Sequence, residues 1–246
     1  MNLSWNTPPT RLQLSMKEVH IWQANIDLPA KGVQNLKINL SSDESMRAEE
    51  FRFEHDRSGF IATRGILRQI LAYYLRIEPG VIRFCYKENG KPRLQSGSGE
   101  ECIQFNISHS EELALYVFTL GHEVGVDIEY MRPISEMEQI VEQFFSAKER
   151  VVFGASPVSK KREIFYTWWT RKEAFTKAKG SGLSYPLDTL DVSMFPCEQN
   201  KPLNIMEDAN ETSIWSIGDI KPAKEYAGAV VVEGRDLNIH CWKWLM

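Results

Sequence analysis

The order of the expected elements constrains the fold of this chain more than any other feature, because a strand, helices and strands follow one another roughly twice. Apolar residues alternate in the strand-like runs and recur at helical spacing in the long helical runs. The first round has expected strands at about 17–27, 81–87, 102–107, 113–120 and 123–130, and expected helices after Ser41 or Ser42 and at about 57–76. The second round has expected helices at about 135–152 and 161–179, and strand-like pieces at about 187–194, 213–218, 226–232 and 238–244.

This order predicts an α+β fold with two similar halves in one chain, residues 1–130 and residues 131–246. The chain has 246 residues, which suits one large domain or two small ones. Its 43% hydrophobic and 25% charged residues are typical of a globular protein and exclude disordered and fibrous classes. A formal net charge of -4 argues against a general nucleic-acid binder.

Several features indicate a cytoplasmic protein without a membrane segment. No apolar stretch is long enough to span a bilayer, and the N-terminus lacks the basic start and apolar run of a secretory signal. The cysteines Cys85, Cys102, Cys197 and Cys241 are scattered, with no CxxC pair. We therefore expect reduced thiols rather than a zinc site or disulfides.

Two acids share one face of the expected strand Gly125-Val126-Asp127-Ile128-Glu129. Because side chains alternate along a strand, Asp127 and Glu129 point one way and Val126 and Ile128 point to the other face. Neighbouring carboxylates repel unless a cation or a base lies between them, and Mg²⁺ prefers carboxylates with phosphate oxygens and water. An ordinary exposed strand face would show the same pattern.

A third acid and a lysine lie on the long helix expected at 161–179. Glu173 and Lys177 are four residues apart, on one side and away from the apolar stripe. They form either a surface pair or a metal ligand beside a phosphate-binding lysine. Lys172 follows Trp168 by one helical turn, so we expect a buried stem with its ammonium group at the surface.

Two loop segments offer further polar groups. Ser108 and His109 follow a strand-like run, where they would donate hydrogen bonds to phosphate oxygens or simply cap the loop. No G-x-S-x-G elbow accompanies them, so a nucleophilic serine is weakly supported. Lys91 follows Asn89-Gly90, a strong turn signal that also fits a plain hairpin, and the segment is not a Walker loop.

Together and in this order, the segments GKPRL, FNISHS, GVDIE, FFSAKER and WTRKEAFTKAKGSGL resemble the Sfp-type 4′-phosphopantetheinyl transferases. The last segment matches the W-x-x-K-E-A-x-x-K-x-x-G-x-G-L pattern of that family at every fixed position, and GVDIE also matches fully. The resemblance spans about residues 40–195.

The resemblance implies that coenzyme A lies in the cleft between the two halves and donates its phosphopantetheine arm. The acceptor would be a serine of an apo acyl or peptidyl carrier protein, and adenosine 3′,5′-bisphosphate would leave. Asp127, Glu129 and Glu173 would surround Mg²⁺ with the pyrophosphate of coenzyme A. Glu173 or a metal-bound water would take the proton from the serine, and Lys177 would hold phosphate and steady the leaving group.

The resemblance also implies that Lys91, Ser108 and His109 bind the nucleotide and phosphates, and that Arg64 contacts the nucleotide. Because one chain contains both halves, we expect a monomer. An acidic carrier should dock on apolar and basic side chains, with candidates in the 144–162 region. These candidates are Phe144, Phe145, Lys148, Lys160, Lys161 and Arg162.

Two other functions use the same residues. One is a different coenzyme A-dependent or nucleotide-dependent transferase or phosphohydrolase that has the three acids and a metal but no carrier protein. The other is a non-catalytic module that binds carrier protein or coenzyme A. The complete set of Asp127, Glu129, Glu173 and Lys177 argues against the binding module, because a binder does not need all four.

Overall fold

The computed structural model describes residues 4–86, 90–95, 102–193, 204–207 and 214–245. The helices are α1 (Ala30–Lys37), α2 (Ser42–Glu49), α3 (Glu54–Leu75), α4 (Met137–Phe144), α5 (Ala147–Ala155) and α6 (Val158–Lys179). The strands are β1 (Glu18–Asn25), β2 (Phe84–Tyr86), β3 (Pro92–Leu94), β4 (Ile103–Ser110), β5 (Leu113–Leu120), β6 (Val124–Tyr130), β7 (Asn204–Glu207), β8 (Ile214–Ile220), β9 (Tyr226–Glu233) and β10 (Asn238–Lys243). None of the helices in these ranges combines the length and apolar character needed to cross a membrane.

The expected α+β fold with two similar halves is confirmed. One sheet has the strand order β10-β1-β5-β4, the other has the order β6-β9-β8-β7, and β2 and β3 form a separate hairpin. The 22-residue helix α3 packs on the first sheet, and α6, which also has 22 residues, packs on the second. Each half is therefore a four-stranded sheet covered by one long helix.

The two sheets exchange strands across the expected boundary between residues 130 and 131. Strand β6 precedes that boundary but pairs with β9 in the second sheet. The last strand, β10, pairs in parallel with β1 in the first sheet, where His240 lies opposite His20. The boundary between residues 130 and 131 stays a prediction. Strands β6 and β10 each pair with strands from the other side of it, so the pairing links the two halves.

Alternation along the strands places a shared apolar core between the sheets. Val19 and Ile21 of β1 pack in one buried cluster with Val126 and Ile128 of β6. The other face of β6, which carries Asp127, is directed toward α6. The layers therefore run from α3 through the two sheets to α6, and the predicted separation of apolar and acidic faces on β6 is confirmed.

The edges of the two sheets meet where β4 lies beside β6. Three alternate side chains of β4 make hydrogen bonds to β6, in place of a backbone ladder. The pairs are the side chain of Asn106 with the N–H of Val126, Ser108 with Asp127, and Ser110 with Glu129. These contacts hold two predicted acids against the edge of the other sheet.

Some expected elements differ in the structure. The single helix expected at 135–152 is divided into α4 and α5, because Ser146 adopts an extended conformation and caps α5 in a capping box with Glu149. In the strand expected at 187–194, residues 187–189 form a short 3-10 turn instead. Helix α1 was not expected from the sequence. Asn89, Cys197 and the loop expected at 96–100 lie outside the described residues.

Candidate active site

The site begins with a glycine that lets α6 lie directly on β6. A Cβ atom at Gly125 would stand 2.1 Å from the carbonyl oxygen of Ala174 and 2.4 Å from the backbone nitrogen of Ala178. Only a glycine permits this approach of helix to strand. As a result, Glu173 and Lys177, which flank Ala174 and Ala178 in the sequence, lie beside the acidic face of β6.

Asp127 is the centre of the site and is 2% exposed. Its Oδ1 accepts hydrogen bonds from Ser108 Oγ at 2.8 Å and from Lys177 Nζ at 2.5 Å. Lys177 Nζ also donates to Ser108 Oγ at 2.9 Å. Within the described ranges, Oδ2 of Asp127 is buried without a hydrogen-bond partner. A buried carboxylate oxygen is costly in that state, and a cation would satisfy it.

Glu129 and Glu173 share the electrostatic environment of Asp127. Burial, and then the negative charge of Asp127, raises the pKa of each of these glutamates. Burial also raises the pKa of Asp127, although Lys177 and Ser108 oppose this effect. Ser110 Oγ donates to Glu129 at 3.1 Å. Two carboxylates whose ionisation is disfavoured by burial and by a third, buried carboxylate are suited to a divalent cation.

Lys177 binds Oδ1 of Asp127 and leaves Oδ2 without a hydrogen-bond partner among the described residues. In the described part of the chain, the carboxylate oxygens of Asp127, Glu129 and Glu173 are not all within 4.8 Å of one another. Holding one ion between all three acids therefore requires carboxylate side chains to turn, whereas Lys177 can stay on Oδ1 of Asp127 while Oδ2 binds the ion. Asp127, Ser108 and Lys177 are in direct contact, and Ser110 holds Glu129 beside them. The roles of the three acids and of Lys177 stay predictions.

Two polar residues at this edge were not predicted as site residues. Asn106 and Ser110 alternate with Ser108 on β4, and both bind β6. Ser110 Oγ also accepts the N–H of Tyr130 at 3.0 Å. The signal in the sequence is the spacing of these three polar residues, which places them on one face of a strand.

A cavity of about 410 Å³ lies next to this edge, lined by Arg64 and His109 together with Phe60. The Arg64 guanidinium lies 5.9 Å from the ring centre of Phe60, and its Nη1 is buried without a partner among the described residues. The ring of His109 is exposed at the cavity, yet partial desolvation and the charge of Lys177 lower its pKa. The cavity thus combines an aromatic wall with an unsatisfied cationic donor.

Lys91 makes backbone contacts in the structure. Its side chain is 8% exposed, and Nζ donates to the carbonyl oxygens of Val124 at 3.0 Å, Lys177 at 2.9 Å and Ala178 at 3.3 Å. The ammonium group therefore stabilises the carbonyl end of α6, where a positive charge is favourable. The role of Lys91 as a coenzyme A ligand stays a prediction.

The expectation for Lys172 was wrong. Its ammonium group is fully buried, lies 2.8 Å from Glu149 and donates to the carbonyl oxygens of Leu187 at 2.7 Å and of Leu190. Glu149 also accepts the N–H of Val192 at 2.7 Å. Lys172 is therefore a structural residue of the interior, next to Glu173 in the sequence. Its charge is stabilised by Glu149 and by two carbonyl oxygens that are distant in the sequence.

Comparison with known proteins identifies the family to which this chain belongs. Residues 123–231 match the family profile of the 4′-phosphopantetheinyl transferase superfamily, and residues 31–119 match that of the 4′-phosphopantetheinyl transferase N-terminal region. The chain is 37% identical to the 4′-phosphopantetheinyl transferase HetI of Nostoc sp., over 98% of each chain. It is 30% identical to the 4′-phosphopantetheinyl transferase Sfp of Bacillus subtilis, covering 71% of this chain and 76% of the relative.

The chain belongs to the 4′-phosphopantetheinyl transferase family, as its motifs predicted, and is an enzyme of that family. Among solved structures, a holo-(acyl-carrier-protein) synthase from Bacillus anthracis in complex with coenzyme A aligns with a TM-score of 0.33 and 21% identity, over 45% of this chain and 94% of that chain.

Proposed function

We propose that this chain transfers the 4′-phosphopantetheine arm of coenzyme A to a serine of an apo acyl or peptidyl carrier protein, with Mg²⁺, releasing adenosine 3′,5′-bisphosphate. The observation that carries the proposal is Asp127, a buried acid with one unpartnered oxygen, flanked by Glu129, Glu173 and Lys177. Family membership identifies the reaction that such a site serves.

The residues present fit Mg²⁺. Asp127, Glu129 and Glu173 offer only oxygen ligands, which this ion prefers. A bound cation would give the unpartnered oxygen of Asp127 a partner. It would also favour the ionised form of the two glutamates and so lower their raised pKa values. When bound, Mg²⁺ neutralises charge on the pyrophosphate oxygens of coenzyme A.

The side chains of this chain supply the remaining steps. Lys177 binds a phosphate oxygen and offsets the charge that develops on the leaving group. The carboxylate of Glu173 would accept the proton of the carrier serine, since a carboxylate within hydrogen-bond reach of a hydroxyl can act as a general base. The nucleophile belongs to the carrier protein, so the site needs no activated serine or cysteine of its own.

We place the nucleotide of coenzyme A in the cavity beside Arg64 and His109, with Ser108 and Lys91 at its phosphate end. The change Arg64→Gln should raise KM for coenzyme A about 10-fold to 100-fold with little change in kcat, because it removes a charge-assisted hydrogen bond. Steady-state kinetics over a range of coenzyme A concentrations measures this. Arg47, which is exposed and lies 5.8 Å from the ring centre of Phe60, provides the matched control Arg47→Gln. An unchanged KM in Arg64→Gln, or an equal effect in the control, would contradict the assignment.

The carrier is proposed to dock on the surface around α5 and the start of α6. Lys148 is 75% exposed there, beside the exposed apolar residues Val151 and Val158. Phe145, also expected on this surface, is instead fully buried and stacks on Phe165. The remaining basic and apolar groups suit an acidic helical partner.

We further propose that the enzyme acts as a monomer in the cytoplasm. The acids of β6 and the lysine of α6 come from one chain, so a second copy is not required to complete the site. Cys85 and Cys241 are thiols, as is usual in a reducing compartment.

Intact mass spectrometry of an apo acyl carrier protein tests the reaction. Incubation with the enzyme, coenzyme A and Mg²⁺ should add the mass of one phosphopantetheine arm, and EDTA should prevent the addition. Hydrolysis of coenzyme A without a gain in carrier mass would instead support a phosphohydrolase. Coenzyme A binding without turnover, across several carriers, would support a binding module.

A further inference from the structure

A second cluster of ligand-type side chains lies where the first and last strands of the fold pair. Glu18 and His20 are two residues apart on β1, and His240 lies opposite His20 on β10, so all three occupy one face of the sheet. Their ligand atoms all lie within 4.8 Å of one another. In the searched ranges, 4–86, 90–95, 102–193, 204–207 and 214–245, no other three His, Cys, Asp or Glu residues do so.

The individual distances are close to those of a metal site. His240 Nε2 lies 3.5 Å from Glu18 Oε1, and His20 Nε2 lies 4.0 Å from Glu18 Oε2. Ligands at about 2.0–2.1 Å from a tetrahedral zinc ion stand about 3.4 Å apart. The pair of His240 and Glu18 already has this spacing, and the pair of His20 and Glu18 requires a movement of about half an ångström. The ligand atoms of the two histidines lie within 4.8 Å of each other.

Two of the three side chains are held by contacts outside the cluster. The hydroxyl of Tyr74 lies 2.8 Å from His20 Nδ1, which leaves Nε2 of the same ring directed at Glu18. The backbone N–H of Ser15 donates to Glu18 Oε2 at 2.9 Å. Metal-binding histidines and carboxylates are commonly fixed by such outer hydrogen bonds, which set the tautomer and the orientation.

We propose that Glu18, His20 and His240 form a binding site for one divalent transition-metal ion of the zinc type. Two imidazoles and one carboxylate suit zinc, whereas Mg²⁺ prefers oxygen ligands alone. Water supplies the fourth ligand, and the partly exposed side chains of Glu18 and His240 leave a path for entry. The ion would link β10 to β1 and so fasten the last strand to the first sheet.

The test measures zinc bound to tag-free, EDTA-stripped protein after equilibrium dialysis in buffer that contains Mg²⁺. We expect one zinc ion per chain and a higher Tm with zinc than without it. In His240→Gln and in Glu18→Gln, the affinity for zinc should fall at least about 10-fold, since each variant loses a ligand. The rise in Tm with zinc should be smaller in both variants. His55→Gln, at an exposed histidine on α3, should bind zinc like the wild type.

A further variant separates this site from the active-site acids, which also bind divalent ions. Glu173→Gln should retain the bound zinc ion and the rise in Tm. Zinc binding that is equal in the wild type and His240→Gln, or that is lost in Glu173→Gln alone, would overturn the proposal. The absence of tight zinc binding in the wild type would overturn it as well.

Discussion

Replacing Glu173 with glutamine should nearly abolish phosphopantetheine transfer while making the metal-free protein slightly more stable. Loss of the carboxylate removes a proposed ligand for Mg²⁺ and the proposed proton acceptor, which we expect to lower kcat/KM by about 10²-fold to 10³-fold. The gain in stability follows from the raised pKa of Glu173. Ionisation is less favourable in the folded chain than in the unfolded one, so above both pKa values the charge opposes folding.

The pH dependence gives this prediction a second readout. The difference in Tm between Glu173→Gln and the wild type should be largest at neutral pH. It should shrink as the pH falls through the raised pKa of Glu173 in the folded chain and vanish below the ordinary pKa of a glutamate, about 4.3, because the carboxyl is then protonated in both states. Differential scanning fluorimetry without metal and carrier-modification assays with Mg²⁺ measure the two effects.

Glu78, which is exposed after the end of α3, provides a control, because Glu78→Gln removes a carboxylate outside both the active site and the proposed docking surface. It should leave both activity and pH dependence close to those of the wild type. If Glu173→Gln retained normal turnover, Glu173 would have no part in the chemistry. A lower Tm in Glu173→Gln at neutral pH would show that its charge is stabilised in the fold.

Replacing Lys172 with methionine should destabilise the fold by about 3–5 kcal/mol, since it leaves the charge of Glu149 buried without its counter-charge. For a chain of this size, the corresponding fall in Tm is about 6–20 °C. Burial already lowers the pKa of Lys172, and the charge of Glu149 opposes this shift. Urea or thermal unfolding measures the loss.

The double variant Lys172→Met, Glu149→Gln tests the cause. It removes both charges, and the glutamine can keep the capping interaction with Ser146, so it should recover part of the lost stability. The exposed pair of Lys160 and Glu163, 3.1 Å apart, gives the surface comparison. Lys160→Met should change stability by less than about 1 kcal/mol. A similar small change in Lys172→Met would contradict the role of the buried pair.

Local patterns predicted the elements that carry the site. The alternation of Val126 and Ile128 with Asp127 correctly gave the two faces of β6, because period-2 burial is a property of each strand alone. The apolar periodicity of α6 and the glycine at its end, Gly180, gave the long helix, and Gly180 adopts the left-handed conformation with φ of 70°. These features depend on neighbours along the chain.

Contacts between distant segments could not be predicted. The buried pair of Lys172 and Glu149 joins two helices, and no spacing rule indicates that one cation will find a carboxylate in the interior. Phe145 was expected at the surface because it lies in a segment with several basic residues, but it is buried in the core. The contact of Lys177 with Asp127, through which the lysine holds the site, likewise depends on how α6 lies on β6.

The parallel pairing of β10 with β1 has a consequence for how the protein is made. Strand β1 is synthesised long before its partner β10, because about 200 residues separate the two strands in the sequence. Until β10 arrives, the first sheet presents β1 as an open edge with unpaired backbone groups, a hazard for aggregation. Contacts so distant in sequence also slow folding. The first sheet is therefore completed only after residues 238–243 have been synthesised.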